Sequence, residues 1–149
     1  MRSVEAEALA LVLEAGAVSV ADVRSWADQY VISEPQPDGR ILQLCTEANA
    51  ASALSLLHEL SEHRDIRTST TLALRHLRRA WLAGSVSLRG AAGLLSRMAN
   101  LGFTPNEEAE HQMSWFAENL ALIDVKEFAP ELEAKIKGEF DAFLAKYSV

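Results

Sequence analysis

Apolar residues recur at spacings of three and four along almost the whole chain, and strict apolar–polar alternation is nearly absent. Three-and-four spacing puts side chains on one face of a helix, whereas a half-buried strand needs a period of two. Alanine is frequent, and runs of Val, Ile and Thr are scarce. The chain therefore reads as all-α, a compact bundle of six to eight helices. Its 149 residues suffice for one sizeable core but leave little for two. A single all-helical domain over 1–149 is the expectation.

Glycine, proline and capping residues punctuate the periodicity. The first helix reads as Val4 to Ala15, with Ser3 as N-cap and Val4, Ala8, Leu11, Val12 and Ala15 on one inner face. Gly16 ends it. Ser19 caps the second helix, with Asp22 three residues on and Val18 placed to pack onto Val23. Pro35, Pro37, Asp38 and Gly39 break that helix. Two helices follow, over 40–48 and 50–62. Another spans 68–83 and closes at Gly84; Ser87 caps the next, which stops at Gly102. Thr104, Pro105 and Glu107 supply an N-cap hydroxyl, a first-turn proline and a capping carboxylate. The helix they start turns Ala109, Met113, Phe116, Leu120 and Ile123 inward. The last helix carries Phe128, Leu132, Ile136, Phe140, Phe143, Leu144 and Tyr147 on its inner face, and short loops favour antiparallel neighbours.

The pattern Ala-Gly-small-Val-Ser-aliphatic occurs twice, at Ala15–Val20 and at Ala83–Leu88. It reads either as recurrent helix–turn–helix chemistry or as two similar helical hairpins.

Charge is unevenly placed. The net charge of −7 divides into −7 over residues 1–63, +6 over 64–97 and −6 over 98–149. An acidic balance argues against general DNA coating. The basic middle holds Arg64, Arg67, Arg75, Arg78, Arg79, Arg89 and Arg97. Arg75, Arg78 and Arg79 fall on one helical face, opposite Ala73, Leu77 and Ala80. That face can pair with acidic helices of its own fold, form a protein-interaction surface, or contact a phosphate or RNA backbone. Candidate acids for a basic partner are Asp22, Asp28, Glu34, Asp38, Glu107, Glu108 and Glu110.

Catalytic and metal signatures fail on spacing. His58 and His63 are five residues apart, about 140° round a helix, so one zinc ion cannot take both. Glu108 and His111 form one Glu-x-x-His pair, and a di-iron bundle needs two. No glycine-framed serine, phosphate loop or dinucleotide turn is present. The helices after Ser19 and Ser87 begin with acidic or apolar residues, which suits no DNA major groove. The single cysteine, Cys45, sits at core spacing with Ile41 and Leu44 and can form no internal disulfide. No metal or cofactor is expected. Glu5, Glu7 and Glu14 interrupt the first apolar stretch, which disfavours a secretory leader, and no run is long enough to span a membrane. A cytoplasmic protein is the expectation.

The segment Gly16–Asp28, with its Val-Arg-Ser-Trp-Ala-Asp run, then Pro35 and Pro37, then Ile41-Leu42-Gln43-Leu44, resembles the start of small all-helical bacterial proteins. The resemblance covers about residues 10–60. Such proteins include immunity-type inhibitors of secreted toxins, and the resemblance points to Trp26 and Asp28. Together with the acidic flanks, it implies a non-catalytic binding protein that occludes a basic protein partner. The candidate contact residues are then Trp26, Asp22, Asp28, Glu34, Asp38, Arg75, Arg78 and Arg79. Two other readings stay open: a metal- or ligand-binding bundle using Glu108 and His111, and nucleic-acid contact through the arginine face.

Overall fold

The protein is described by a computed structural model covering residues 2–61, 65–123 and 129–147, without the side chains of Ala117, Leu120, Ile123 and Ala129. The expectations for His63, Arg64, Leu120, Ile123 and Phe128 lie outside the described residues. Among the described residues there are eight helices and no strand. They are α1 (Arg2–Glu14), α2 (Val20–Ser33), α3 (Gly39–Leu44), α4 (Ala50–Leu60), α5 (Ile66–Leu82), α6 (Leu88–Asn100), α7 (Glu107–Ile123) and α8 (Ala129–Ala145). The all-α class is as the periodicity requires. No helix among the described residues is long and apolar enough to cross a membrane.

Local chemistry sets the ends. At α2 the Ser19 hydroxyl accepts the Asp22 N–H at 3.2 Å, and the Asp22 carboxylate accepts the Ser19 N–H at 2.8 Å. This is the reciprocal capping box the sequence announces. Ser87 caps α6 as expected, through the Gly90 N–H at 3.0 Å. Other starts differ from the sequence reading. Ser3 lies inside α1, which has already begun at Arg2. Asp38 caps α3 and Asp65 caps α5, each accepting a first-turn N–H. Thr104 and Pro105 precede α7 without starting it. The cap there is Asn106, whose Oδ1 accepts the Ala109 N–H at 2.8 Å. Asparagine caps at least as well as threonine, and Glu107, Glu108 and Glu110 then fall in the positive first turn.

Three helices end alike. Gly16, Gly84 and Gly102 have φ of 78°, 73° and 81°, a left-handed conformation that other residues adopt at a cost. At each, the glycine N–H reaches back three residues, and the next N–H reaches back five. That is the Schellman closure. It occurs a third time, at Gly102, where the Ala-Gly-small-Val-Ser pattern is absent. The two-fold echo is thus accounted for by turn chemistry: a left-handed glycine, a valine packed on the core and an N-cap serine.

Short loops join packed neighbours in some places, as between α6 and α7 and between α2 and α3, and fail to in others. α1 lies chiefly against α4 and α5, and α6 against α7; α1 and α2, like α5 and α6, make little close backbone approach. A turn closed after one or two residues also permits the next helix to leave at a steep angle.

The core falls into two clusters. One gathers side chains of α1, α5, α6, α7 and α8 around Phe116, Phe140 and Phe143. The other gathers α1, α2, α3 and α4 around Leu9, Ile41, Leu44 and Leu57. Among the described residues, only α1 supplies buried residues to both. Ala8 and Val12 face the first cluster; Ala6, Leu9, Ala10 and Leu13 face the second. The expected face is there, with Ala8, Leu11, Val12 and Ala15 on the first cluster, but α1 has a second buried face that the sequence reading did not assign. A helix enclosed on several sides is apolar nearly all round, and α1 is enclosed by α4 and α5 and by buried side chains of α2 and α3. Its many alanines let those helices approach closely.

Candidate functional site

A cleft opens over α1 between α2 and α5. Its upper part, about 330 Å³, is lined by Asp22 and Trp26 of α2 and by His76, Arg79 and Ala80 of α5. An adjoining part of about 310 Å³ adds Glu5, Leu72 and Arg75. Leu9, Trp26, His76 and Arg79 are common to both parts. A shallower recess continues past Trp26 to Tyr30 and Ser33. The size is that of a small-ligand or side-chain pocket.

Glu5 organises the α2 wall. Its Oε2 accepts the Trp26 indole N–H at 2.9 Å and the Tyr30 hydroxyl. The two rings meet edge to face, with centroids 5.2 Å apart. Partial burial, and then the Glu5 hydrogen bond and charge, push the Tyr30 hydroxyl far above its usual range. It remains a donor, so Trp26 is held at its indole nitrogen and on its ring, which fixes its orientation in the cleft.

The α5 wall carries the cations. Arg75 and Arg79, four residues apart, line the cleft with His76 between them in sequence. Among the described residues no carboxylate pairs with Arg75, Arg78 or Arg79. Arg75 Nε is buried without a hydrogen-bond partner. Of the three alternatives left open for this face, pairing with acidic helices of the same fold is not what the described residues show; Arg75 is half-buried and Arg79 exposed. Arg75 and Arg79 turn toward α1 and α2, while half-buried Arg78 lines none of these cavities.

The acids named for a basic partner separate. Asp22 stays exposed at the mouth of the cleft, although its Oδ2 also accepts from Ser19. Glu34 and Asp38 are engaged within the fold. Arg2 lies 3.4 Å from Glu34 and 3.7 Å from Asp38, and Arg40 lies 2.8 Å from Asp38. The Arg40 hydrogen bonds hold the Asp38 carboxyl far below the usual carboxylate range. Asp28 is exposed away from the cleft, near Cys45. Burial and then the Asp28 carboxylate push that thiol up, so it stays a protonated packing residue on the second cluster. Glu107, Glu108 and Glu110 remain exposed on α7.

Glu108 and His111 lie in a separate groove between α7 and α8, with Trp115, Lys135 and Glu139. Among the described residues no three of His, Cys, Asp and Glu gather as a metal-ligand set.

Sequence reading missed Glu5, Tyr30 and His76 as members of the site. Tyr30 falls at core spacing with Val23 and Ala27, and Glu5 reads as an interruption of an apolar run. The available signal was a carboxylate, Glu5, set with Glu7 in a run from Val4 to Leu13 that is otherwise apolar. Burial lowers the His76 pKa from 6.5, helped by the Arg79 charge and opposed by Asp22 and Glu5. Near pH 7 the imidazole is neutral. The unfolded chain takes up a proton below about pH 6.5 that the folded chain resists, so stability should fall as pH drops through that value toward the lowered pKa. Denaturant titrations from pH 7.5 to 5 check this: His76→Gln should flatten the slope, and an unchanged slope would assign it to other groups.

No family model, curated protein or solved structure matches the chain.

Proposed function

We propose that this chain is a non-catalytic binding protein that acts by occluding a protein partner, with the α2–α5 cleft as the centre of contact. One observation carries the reading. The fold brings Trp26 and Asp22 from one helix together with Arg75 and Arg79 from another, 49 to 57 residues away, in a single recess. Tryptophan and arginine are the side chains that most often dominate interface energetics, above all where a pocket desolvates them. Trp26 is held in place before binding, which lowers the ordering cost of association.

An immunity-type inhibitor of a basic partner, acting in the cytoplasm, is the concrete form. The net charge of −7 and the exposed carboxylates of α7 and α2 would attract such a partner over long range. The cleft would supply the short-range contact. The reading requires a stoichiometric complex without turnover.

The tagged chain should retain one protein at fixed stoichiometry from the producing cell at moderate salt. Trp26→Ala and Arg79→Glu should each weaken retention by about 30-fold, the loss of a hot-spot contact. Lys137→Ala, on the far helix α8, should not. Failure to recover a stoichiometric protein removes the occlusion reading. Recovery that ignores both cleft substitutions moves the contact elsewhere.

A further inference from the structure

The polar groups of the cleft are unequally engaged. Both carboxylates already hold donors: Glu5 has the Trp26 indole and the Tyr30 hydroxyl, and Asp22 has the Ser19 N–H and hydroxyl at 2.8 and 2.9 Å. The two guanidiniums have no such engagement among the described residues, and Arg75 Nε is buried without any partner. A buried donor left unmade is costly, and a guanidinium presents five donors and no acceptor. The unmet demand in the cleft is therefore for acceptors. Glu5 and Asp22 offset the charge of the two arginines at a distance. Selection must then come from contact, and the group that meets a guanidinium fork by contact is an oxyanion. Beside it lie the Trp26 ring and the side chains of Leu9 and Leu72, which suit a flat apolar body.

We propose that this cleft is an oxyanion site: it takes a carboxylate or phosphate carried on a flat apolar group, seated between Arg75, Arg79 and Trp26. The proposal rests on the cleft being a binding centre, and it specifies what that centre recognises. The group can come from a free small molecule or from an acidic side chain beside an aromatic one on a partner. The chemistry is the same, and the site can be tested with no partner present.

The Trp26 indole N–H resonance, identified by its loss in Trp26→Phe, reports on the cleft directly. Benzoate and phenyl phosphate should shift it saturably, and benzamide and benzylamine should not. Arg79→Gln should weaken benzoate binding by about tenfold, the loss of one charge-assisted hydrogen bond, with the fold checked by circular dichroism. Arg75→Gln should do the same. Acetyl-Phe-Asp-amide, set against acetyl-Phe-Asn-amide, probes the side-chain source. Tighter binding of the aspartyl peptide than of benzoate identifies a partner's acidic residue, and the reverse identifies a free ligand. Equal shifts with benzamide, preference for benzylamine, no shift with any probe, or indifference to both arginine substitutions would overturn the proposal. A silent cleft in this titration leaves recovery of a partner by the tagged chain as a separate result, so the two readings fail independently.

Discussion

Phe116→Ala should lower the unfolding free energy by about 3–5 kcal/mol, the range for removing a fully buried aromatic side chain. Phe116 has no solvent exposure and sits at the centre of the larger cluster. Its ring meets Phe140 at 5.3 Å, Phe143 at 5.7 Å and Trp115 at 5.4 Å between centroids, all edge to face. Truncation removes three such contacts and leaves a void bounded by two helices. α7 and α8 can close on it only by losing their own fit. The midpoint of thermal unfolding should fall by about 6–20 °C, given the usual entropy of unfolding for a chain of this length. Phe116→Leu, which keeps much of the volume, should recover most of the loss. Denaturant melts of the three proteins decide it. A loss under about 1 kcal/mol for the alanine variant would mean that the aromatic stack does not hold α7 to α8.

Leu57→Ala should cost about 2–5 kcal/mol for the same reason, but its effect should be distributed differently. Leu57 is fully buried in the second cluster, which ties α4 to α1, α2 and α3. α2 meets α1 through the Glu5 and Arg2 side chains rather than by close backbone approach, and it packs mainly on α3, so its position depends on that cluster as well. Amide exchange under mildly denaturing conditions should therefore accelerate in α2, α3 and α4 while α6 and α7 stay protected. Because α2 carries Trp26, ligand or partner binding at the cleft should weaken as well, although Leu57 does not line it. Phe116→Ala should show the converse exchange pattern, with α7 and α8 opening first. Identical exchange profiles for the two variants would mean that the clusters behave as one cooperative unit.

Much of the fold was legible because helices are specified locally. Ser19 and Asp22, Ser87, and the three left-handed glycines each act within a few residues of themselves, so their roles can be read from adjacent letters. Where two residues could serve as a cap, as at Thr104 and Asn106, sequence alone chose the wrong one.

The site was legible only in pieces. Trp26, Asp22, Arg75 and Arg79 were each picked out as contact candidates, but on different grounds: a resemblance, an acidic balance and a basic helix face. Their convergence follows from α1 passing between the two clusters. Asp38 and Glu34 looked like partner-facing acids until Arg2 and Arg40 were seen beside them, and such pairings leave no periodic trace.

The sequence by itself determined the helical class, most of the helix ends and the division of charge into two acidic blocks and one basic block. Each of these depends on near neighbours or on counting. The tertiary structure decided which helix is central, which charges are consumed within the fold and which face a common recess. Those outcomes depend on the directions in which helices leave tight turns, and on packing between residues tens of positions apart. A turn motif such as Ala-Gly-small-Val-Ser closes one helix and starts the next without stating where the next one goes.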